Sequence, residues 1–240
     1  MVTCYDYTFD RLLSNSPIDG ILVGDSAAMV MQGHPSTLSA SMELMRLHTE
    51  AVVRGATGKF IVADMPFLSF RKGMTAALDS ASILMVAGAH TVKIEGVDGH
   101  EDVIQRMVQS GIPVMGHVGL QPHSMHAYGG FRVQGRCSDS ARSIARQATA
   151  LEELSVFAIV LECVPTDLAR DISAGLRIPT IGIGAGAGCD GQILVLQDLL
   201  GMNSDFRPKF ARPFFDGERC VLEALASFDQ AAKAGTFPAP

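Results

Sequence analysis

The feature that most constrains the fold of this chain is a repeated order of elements: an apolar strand-like run, an ionisable residue at its end, a turn, and a helix. Short apolar runs bounded by glycine or proline indicate the strands, and apolar residues at helical spacing, as in 39–54, indicate the helices. About eight such units follow one another along the 240 residues without a linker. That order requires parallel strands joined by helices. The sequence therefore predicts an α/β protein whose single domain, residues 1–240, is a (β/α)8 barrel of the TIM type.

Five predicted strands carry an ionisable residue at or near the C-terminal end. In the clearest case, Thr91–Gly96, Lys93 and Glu95 share one strand face because side chains alternate. Opposite charges on an inward face are costly unless they hold each other, a metal or a substrate. In a parallel barrel, polar residues at the C-terminal strand ends form the active site. We therefore expect one pocket to contain the following residues: Asp25, Asp64, Lys93, Glu95, His117 and Glu162.

Three of these residues are carboxylates that come from three different strands. An oxygen-only ligand set of Asp25, Asp64 and Glu95 suits a hard divalent ion such as Mg²⁺. An aspartate after a strand can instead cap the next helix, but three carboxylates beside a lysine favour a metal site. Zinc is less favoured, because His117 is the only histidine at a strand end and no cysteine accompanies it.

The other three residues suit acid–base and anion-binding chemistry. Lys93 can bind a substrate carboxylate or polarise a carbonyl; Schiff-base chemistry is an alternative that a neighbouring divalent ion makes redundant. His117 can donate to an oxyanion, or it can be a structural histidine satisfied by its neighbours. Glu162 follows four apolar residues, so we predict a raised pKa and the role of a general base that removes a proton beside a carbonyl.

Two further patterns are candidates to contribute to the pocket. The glycine-rich run Gly182–Gly188 follows the seventh strand and contains the start of a weak G-x-G-x-x-G match. A dinucleotide fingerprint should follow the first strand, so we interpret the run as close backbone approach to a bound ligand. Three histidines in predicted loops can line the pocket: His34, His123 and His126.

Composition excludes several classes of function. A net charge of −6 without a Lys/Arg-rich run argues against nucleic-acid binding. No apolar stretch approaches the ~18 residues of a membrane span. Five scattered cysteines without a C-x-x-C pair favour a reducing cytoplasm over disulfides or structural zinc. A mean hydropathy of +0.24 is high for a monomer and fits a homo-oligomer.

Seven motifs occur in one order and cover nearly the whole chain. They are Val23–Ser26 with Gln32–His34, Ala63–Phe67, Val92–Gly96, Gly116–Leu120, Gly129–Arg136, Leu161–Pro165 and Ile181–Gly186. Together they resemble the ketopantoate hydroxymethyltransferase family. Ala27-Ala28 departs from the bulkier residue and glycine usual there, and the family's helix before the first strand is absent. We therefore expect the native protein to have a longer N-terminus.

The resemblance implies a Mg²⁺-dependent enzyme of pantothenate and coenzyme A synthesis. It would transfer a hydroxymethyl group from 5,10-methylenetetrahydrofolate to 3-methyl-2-oxobutanoate and form a large homo-oligomer, often a decamer. His117 would support the developing charge. Matched by motif, Asp25, Asp64 and Glu95 would bind the metal; Asp25, Ser26, Asp64 and Lys93 would contact the substrate; and Glu162 would accept the proton.

Two alternatives use similar residues. Carbon–carbon lyases or mutases of the phosphoenolpyruvate mutase and isocitrate lyase type also place Mg²⁺ and carboxylates at strand ends. Those lyases carry a catalytic cysteine on a mobile loop, whereas the predicted loop Gly119–Arg136 has none. A non-catalytic metal-binding barrel is the other alternative, but a scaffold would need no separate base such as Glu162.

Overall fold

The computed structural model describes residues 1–203 and 208–238, which form two compact units, Met1–Ile193 and Leu194–Pro240. The first unit contains a curled sheet of eight parallel strands in which each strand pairs with the next along the chain. This arrangement confirms the predicted α/β fold of the TIM type. The strands are β1 Val2–Thr3, β2 Gly20–Val23, β3 Phe60–Asp64, β4 Thr91–Lys93, β5 Val114–Gly119, β6 Ala158–Glu162, β7 Thr180–Ile183 and β8 Gly191–Gln192.

Helices follow most of the strands, as the alternating sequence pattern predicts. Those of the first unit are α1 Tyr7–Ser14, α2 Ala27–Val30, α3 Met42–Gly55, α4 Met74–Val86, α5 Glu101–Gln109, α6 Met125–Tyr128, α7 Ser138–Glu153 and α8 Thr166–Gly175. The second unit contains α9 Leu196–Leu199 and α10 Gly217–Lys233. Among the described residues, no helix is both long and apolar enough to cross a membrane.

Three local predictions differ from the structure. Helix α3 begins at Met42 rather than near residue 39, because the Ser41 side chain accepts a hydrogen bond from the Leu44 amide and caps the helix there. The segment Gly119–Arg136 is not wholly irregular, since it contains a 3-10 turn, Pro122–Ser124, and α6. For the eighth strand, the sequence predicts Gln192–Val195, whereas the strand of the structure is Gly191–Gln192.

The inward faces of the strands form a packed core and not a channel. One buried cluster joins β2, β3, β5 and β6 with the residue after β8: Leu22, Val62, Met115, Ala158, Val160 and Ile193. At the seam between β1 and β8, the Met1 amine donates a hydrogen bond of 2.8 Å to the Gln192 carbonyl. This core holds the strands rigidly, and the side chains at their C-terminal ends are positioned by it.

Candidate active site

The structure brings the predicted strand-end residues together at the C-terminal side of the sheet. Asp64 and Glu162 end β3 and β6, and Lys93 ends β4. The chain remains extended beyond Lys93, because the Ile94 and Gly96 amides donate to carbonyls of β5. Lys93 and Glu95 therefore share a face, as alternation predicts. Asp25 lies just beyond the end of β2, and His117 lies within β5.

Lys93 and Asp64 form a buried ion pair. The Lys93 Nζ lies 2.8 Å from Asp64 Oδ1, and the Asp25 amide donates to Asp64 Oδ2 at 3.1 Å. Burial raises the pKa of Asp64 to about 6 although the Lys93 charge opposes it. Burial by itself would lower the pKa of Lys93. The negative charges around it have the larger effect and raise that pKa; they belong to Asp64, Glu95 and Asp25. Lys93 is therefore a persistent ammonium that can bind a carboxylate.

A loop histidine, His123, lies between Asp25 and Glu95. Its Nε2 is 2.6 Å from Asp25 Oδ2, its Nδ1 is 3.4 Å from Glu95 Oε2, and its backbone amide donates to Glu95 Oε2 at 2.9 Å. Burial by itself would lower the pKa of His123. The hydrogen bond to Asp25 and the negative charge of Glu95 have the larger effect, so the pKa of His123 is raised. Burial by itself would raise the pKa of Asp25. The hydrogen bond from His123 and the nearby positive charges have the larger effect, so the pKa of Asp25 is lowered.

These three side chains can hold a divalent metal. Ligand atoms of Asp25, Glu95 and His123 all lie within 4.8 Å of one another. Burial raises the pKa of Glu95, and the charge of His123 only partly offsets that effect. The sequence-based ligand set contained Asp64 in place of His123. In the structure Asp64 faces Lys93, and its role as a metal ligand stays a prediction.

His117 and Glu162 form the second half of the site. Lys93 Nζ lies 3.4 Å from His117 Nδ1, and since an ammonium only donates, Nδ1 is the acceptor and Nε2 carries the hydrogen. Burial and the Lys93 charge lower the pKa of His117 to about 3, so the ring is neutral. His117 Nε2 lies 3.2 Å from Glu162 Oε2 without hydrogen-bond geometry. Burial raises the pKa of Glu162 to about 7.

Ser26 is anchored by a residue that sequence reasoning missed. The Tyr5 hydroxyl lies 2.8 Å from Ser26 Oγ, and Tyr5, which follows β1, is fully buried. A Cβ on Gly24 would lie 2.8 Å from the same Oγ, so that position needs glycine. The Ser26 hydroxyl therefore has a defined place next to Asp25.

Comparison with known proteins places this arrangement in a family. The family model described as ketopantoate hydroxymethyltransferase matches residues 1–240. The chain belongs to the ketopantoate hydroxymethyltransferase family. Membership makes it an enzyme of the transferase class, in agreement with the ordered motifs.

Relatives named 3-methyl-2-oxobutanoate hydroxymethyltransferase match almost the full chain. The protein of Bdellovibrio bacteriovorus is 52% identical over 238 residues, which are 99% of this chain and 90% of the relative. That of Coxiella burnetii is 51% identical over 239 residues with the same coverage, and that of Francisella tularensis subsp. novicida is 48% identical over 238. The family assignment therefore extends across the whole site.

Solved structures with little sequence similarity share the fold of this family member. A phosphonopyruvate hydrolase in complex with oxalate and Mg²⁺ aligns with a TM-score of 0.64 at 12% identity and covers 99% of this chain and 83% of its own. A phosphoenolpyruvate phosphomutase from Streptomyces platensis subsp. rosaceus has a TM-score of 0.63 at 13% identity, with 98% and 82% covered. These likenesses support the barrel fold alone.

The remaining candidates of this family member are two loop histidines and the glycine-rich run. His34 and His126 have exposed side chains, so of the three loop histidines it is His123 that reaches the site. A Cβ on Gly186 would lie 2.4 Å from the Thr166 side chain at the start of α8. The glycine run therefore needs a residue without a side chain at position 186 in order to pack against α8. The close approach of this run to a bound ligand stays a prediction.

Proposed function

We propose that this chain transfers a hydroxymethyl group from 5,10-methylenetetrahydrofolate to 3-methyl-2-oxobutanoate, making ketopantoate for pantothenate and coenzyme A synthesis. The observation that carries the proposal is that the buried Lys93 ammonium and the Glu162 carboxyl, with a pKa of about 7, lie on either side of the His117 ring. A carbon acid next to a ketone requires both an anion-binding group and a base of that strength. The full-length relatives of that name support the same reaction.

The proposed cofactor is one Mg²⁺ ion per subunit. Asp25 and Glu95 would hold it, with Asp64 as the further ligand that the sequence predicts. When bound, the ion supplies Lewis-acid polarisation of the substrate ketone, which acidifies the neighbouring carbon. The phosphonopyruvate hydrolase of the same fold was solved with Mg²⁺ and oxalate, a small dicarboxylate.

The residues of the chain perform the remaining steps. Lys93, with Ser26, Asp25 and Asp64, would bind and orient the carboxylate of the keto acid. Glu162 would take the C3 proton, and the resulting carbon nucleophile forms a bond to the methylene carbon of the folate. The two bonds from that carbon to the folate nitrogens break, and water supplies the hydroxyl oxygen. Tetrahydrofolate leaves with one proton from water and one from Glu162, which restores the carboxylate. His117 Nε2–H would donate to the oxygen on which negative charge develops.

Proton exchange tests the first chemical step separately from transfer. The protein is incubated with 3-methyl-2-oxobutanoate and Mg²⁺ in D2O, and loss of the C3 proton signal is followed by NMR with and without tetrahydrofolate. Ketopantoate formation is then measured with 5,10-methylenetetrahydrofolate. We expect both reactions; a folded, metal-loaded protein that catalyses neither would refute the proposal.

We also propose that the protein acts in the cytoplasm as a homo-oligomer, a decamer by family resemblance. Twenty large hydrophobic side chains are exposed among the described residues, which supports buried surface between subunits. Light scattering at several protein concentrations gives the subunit number. A monomer at micromolar concentration would contradict this proposal.

A further inference from the structure

The ring of His123 is held at the carboxylates from several directions. Two carboxylates from different strand ends, Asp25 and Glu95, contact its two nitrogens at 2.6 and 3.4 Å, and Glu95 also accepts from its backbone amide. On the apolar side, the rings of Phe67 and Phe70 lie 5.8 and 6.4 Å from the imidazole centroid. The orientation of this ring is therefore built by the fold and is not that of a free loop side chain.

The placement of His123 differs from that of a histidine that only neutralises acids. Its side chain is 8% exposed, and it shares with Asp25 and Glu95 a space in which one atom of each can reach a common ion. Carboxylate oxygens with an imidazole nitrogen form a mixed donor set. Such a set binds borderline ions of the first transition row more tightly than a set of oxygens alone.

We propose that His123 is a ligand of the catalytic metal in this chain and that its nitrogen makes the site selective for Co²⁺-like ions over Mg²⁺. This inference rests on the proposed function in one respect: both concern the same bound metal ion. Because His123 lies in the 3-10 turn Pro122–Ser124, ligation also ties the loop after β5 to the metal. The cation would then connect the strand ends that carry the carboxylates with the loop that carries His123.

Metal titration of the full-length protein, stripped with a chelator and free of substrate, tests the proposal. Mg²⁺ and Co²⁺ are titrated by calorimetry into wild type, His123→Gln and the matched control His126→Gln, an exposed histidine three residues away. We expect His123→Gln to lower Co²⁺ affinity by about 10–100-fold and Mg²⁺ affinity by less than about threefold, since Mg²⁺ readily takes a water in place of nitrogen. His126→Gln should bind both ions like wild type.

Proton NMR of the Co²⁺-loaded protein gives a second readout. Its wild-type result does not depend on whether a variant folds. Wild type in H2O should show an exchangeable, strongly shifted imidazole N–H signal, which His126→Gln keeps and His123→Gln loses. Absence of that signal in wild type, or an equal Co²⁺ affinity in His123→Gln, would overturn the proposal. Tighter Mg²⁺ binding in His123→Gln would also overturn it, because the ring would then compete with the metal.

These outcomes are distinct from failure of the proposed function. If Co²⁺ binds through His123 but neither C3 exchange nor ketopantoate formation occurs, the metal ligand stands and the reaction is wrong. If both reactions occur while His123 leaves Co²⁺ binding unaffected, the reaction stands and the ligand assignment is wrong.

Discussion

At the scale of single residues, the site separates its charges into two groups. Positive charge is held by Lys93 against Asp64 at 2.8 Å, while the ionisable group that contacts Glu162 within the described part of the chain is the neutral ring of His117. Without a direct cationic contact, burial governs Glu162 and raises its pKa to about 7. The same pocket therefore contains a permanent cation for binding and a carboxyl able to exchange a proton near neutral pH.

Glu162→Gln should abolish the base while preserving the shape of the site. We expect C3 exchange to fall by about 10²–10⁴, the usual contribution of a positioned base, with little change in keto-acid affinity. Glu153→Gln, at the exposed end of α7, is the matched control and should exchange at the wild-type rate. Wild-type exchange in Glu162→Gln would move the role to another group, with His117 the first to test.

The pH dependence of exchange follows from the raised pKa of Glu162. The carboxyl accepts a proton only when ionised, so the exchange rate should rise with pH up to about 7 and level off above it. Well below pH 7 the rate should fall about tenfold per unit. The measurement is the C3 exchange rate between pH 5 and 9 at saturating keto acid and Mg²⁺. A rate that is level down to pH 5 would exclude this carboxyl as the base.

Asp64→Asn should weaken Mg²⁺ and keto-acid binding together while the fold remains intact. The substitution removes both a predicted metal ligand and the carboxylate that orients Lys93 at 2.8 Å. Calorimetry with Mg²⁺ alone, and with keto acid in the absence and presence of Mg²⁺, separates these effects, and circular dichroism checks the fold. If keto acid still binds with wild-type affinity and the same Mg²⁺ dependence, Asp64 is neither a ligand nor the residue that positions Lys93.

At the scale of secondary-structure elements, α1 and α3 pack without space between them. A Cβ on Gly55, the last residue of α3, would lie 2.7 Å from Asp10 Oδ2 and 3.0 Å from the Tyr7 carbonyl. Ser14 at the end of α1 donates to the Gly55 carbonyl at 3.1 Å. The junction of the two helices therefore depends on the absence of a side chain at position 55.

Gly55→Ala should destabilise the protein by about 1–3 kcal/mol, because the methyl group forces α1 away from α3. Gly175→Ala is the matched control: Gly175 also ends a helix, and among the described residues no atom outside its own helix backbone and chain neighbours lies within 4 Å of its Cβ position. That variant should be neutral or more stable by up to about 1 kcal/mol. Urea unfolding of both variants gives the comparison, and equal stability of the two would contradict the packing argument.

At the scale of the whole molecule, the two compact units differ in how much core they contain. The first unit has the sheet and its packed interior, whereas α10 in the second unit, Gly217–Lys233, has most of its side chains exposed. Its large apolar residues are among them, with Leu222, Leu225 and Phe228 56–59% exposed. The described part of this segment buries the hydrophobic side chains of Leu196 and Ala211, which is too small a core for independent stability.

Residues 1–240 should therefore unfold as the single domain that the sequence predicts. We expect one calorimetric transition, with no separate cooperative transition from residues 194–240. Scans at a fixed protein concentration measure this, because association would shift the midpoint with concentration. A second cooperative transition, with the same enthalpy from scan to scan, would show that residues 194–240 fold on their own.

The sequence by itself determines the fold class and most of the residues that the structure brings together at the candidate site. Apolar runs that end in a charged residue before a helix require parallel strands, and parallel strands bring their C-terminal ends to one edge. Asp25, Asp64 and Lys93 could thus be predicted to meet although they come from different strands. The raised pKa of Glu162 was also predictable, because four apolar neighbours imply burial.

The partners of these residues depend on tertiary structure alone. The pairing of Lys93 with Asp64, rather than with Glu95, follows from the register of β3 against β4, in which positions 64 and 93 are neighbours. His123 reaches Asp25 across 98 positions of sequence because the 3-10 turn after β5 directs its ring to the carboxylates. Local periodicity predicts which face of a strand a residue occupies. It contains no information on which side chain a loop inserts there, because that depends on contacts between residues distant in the chain.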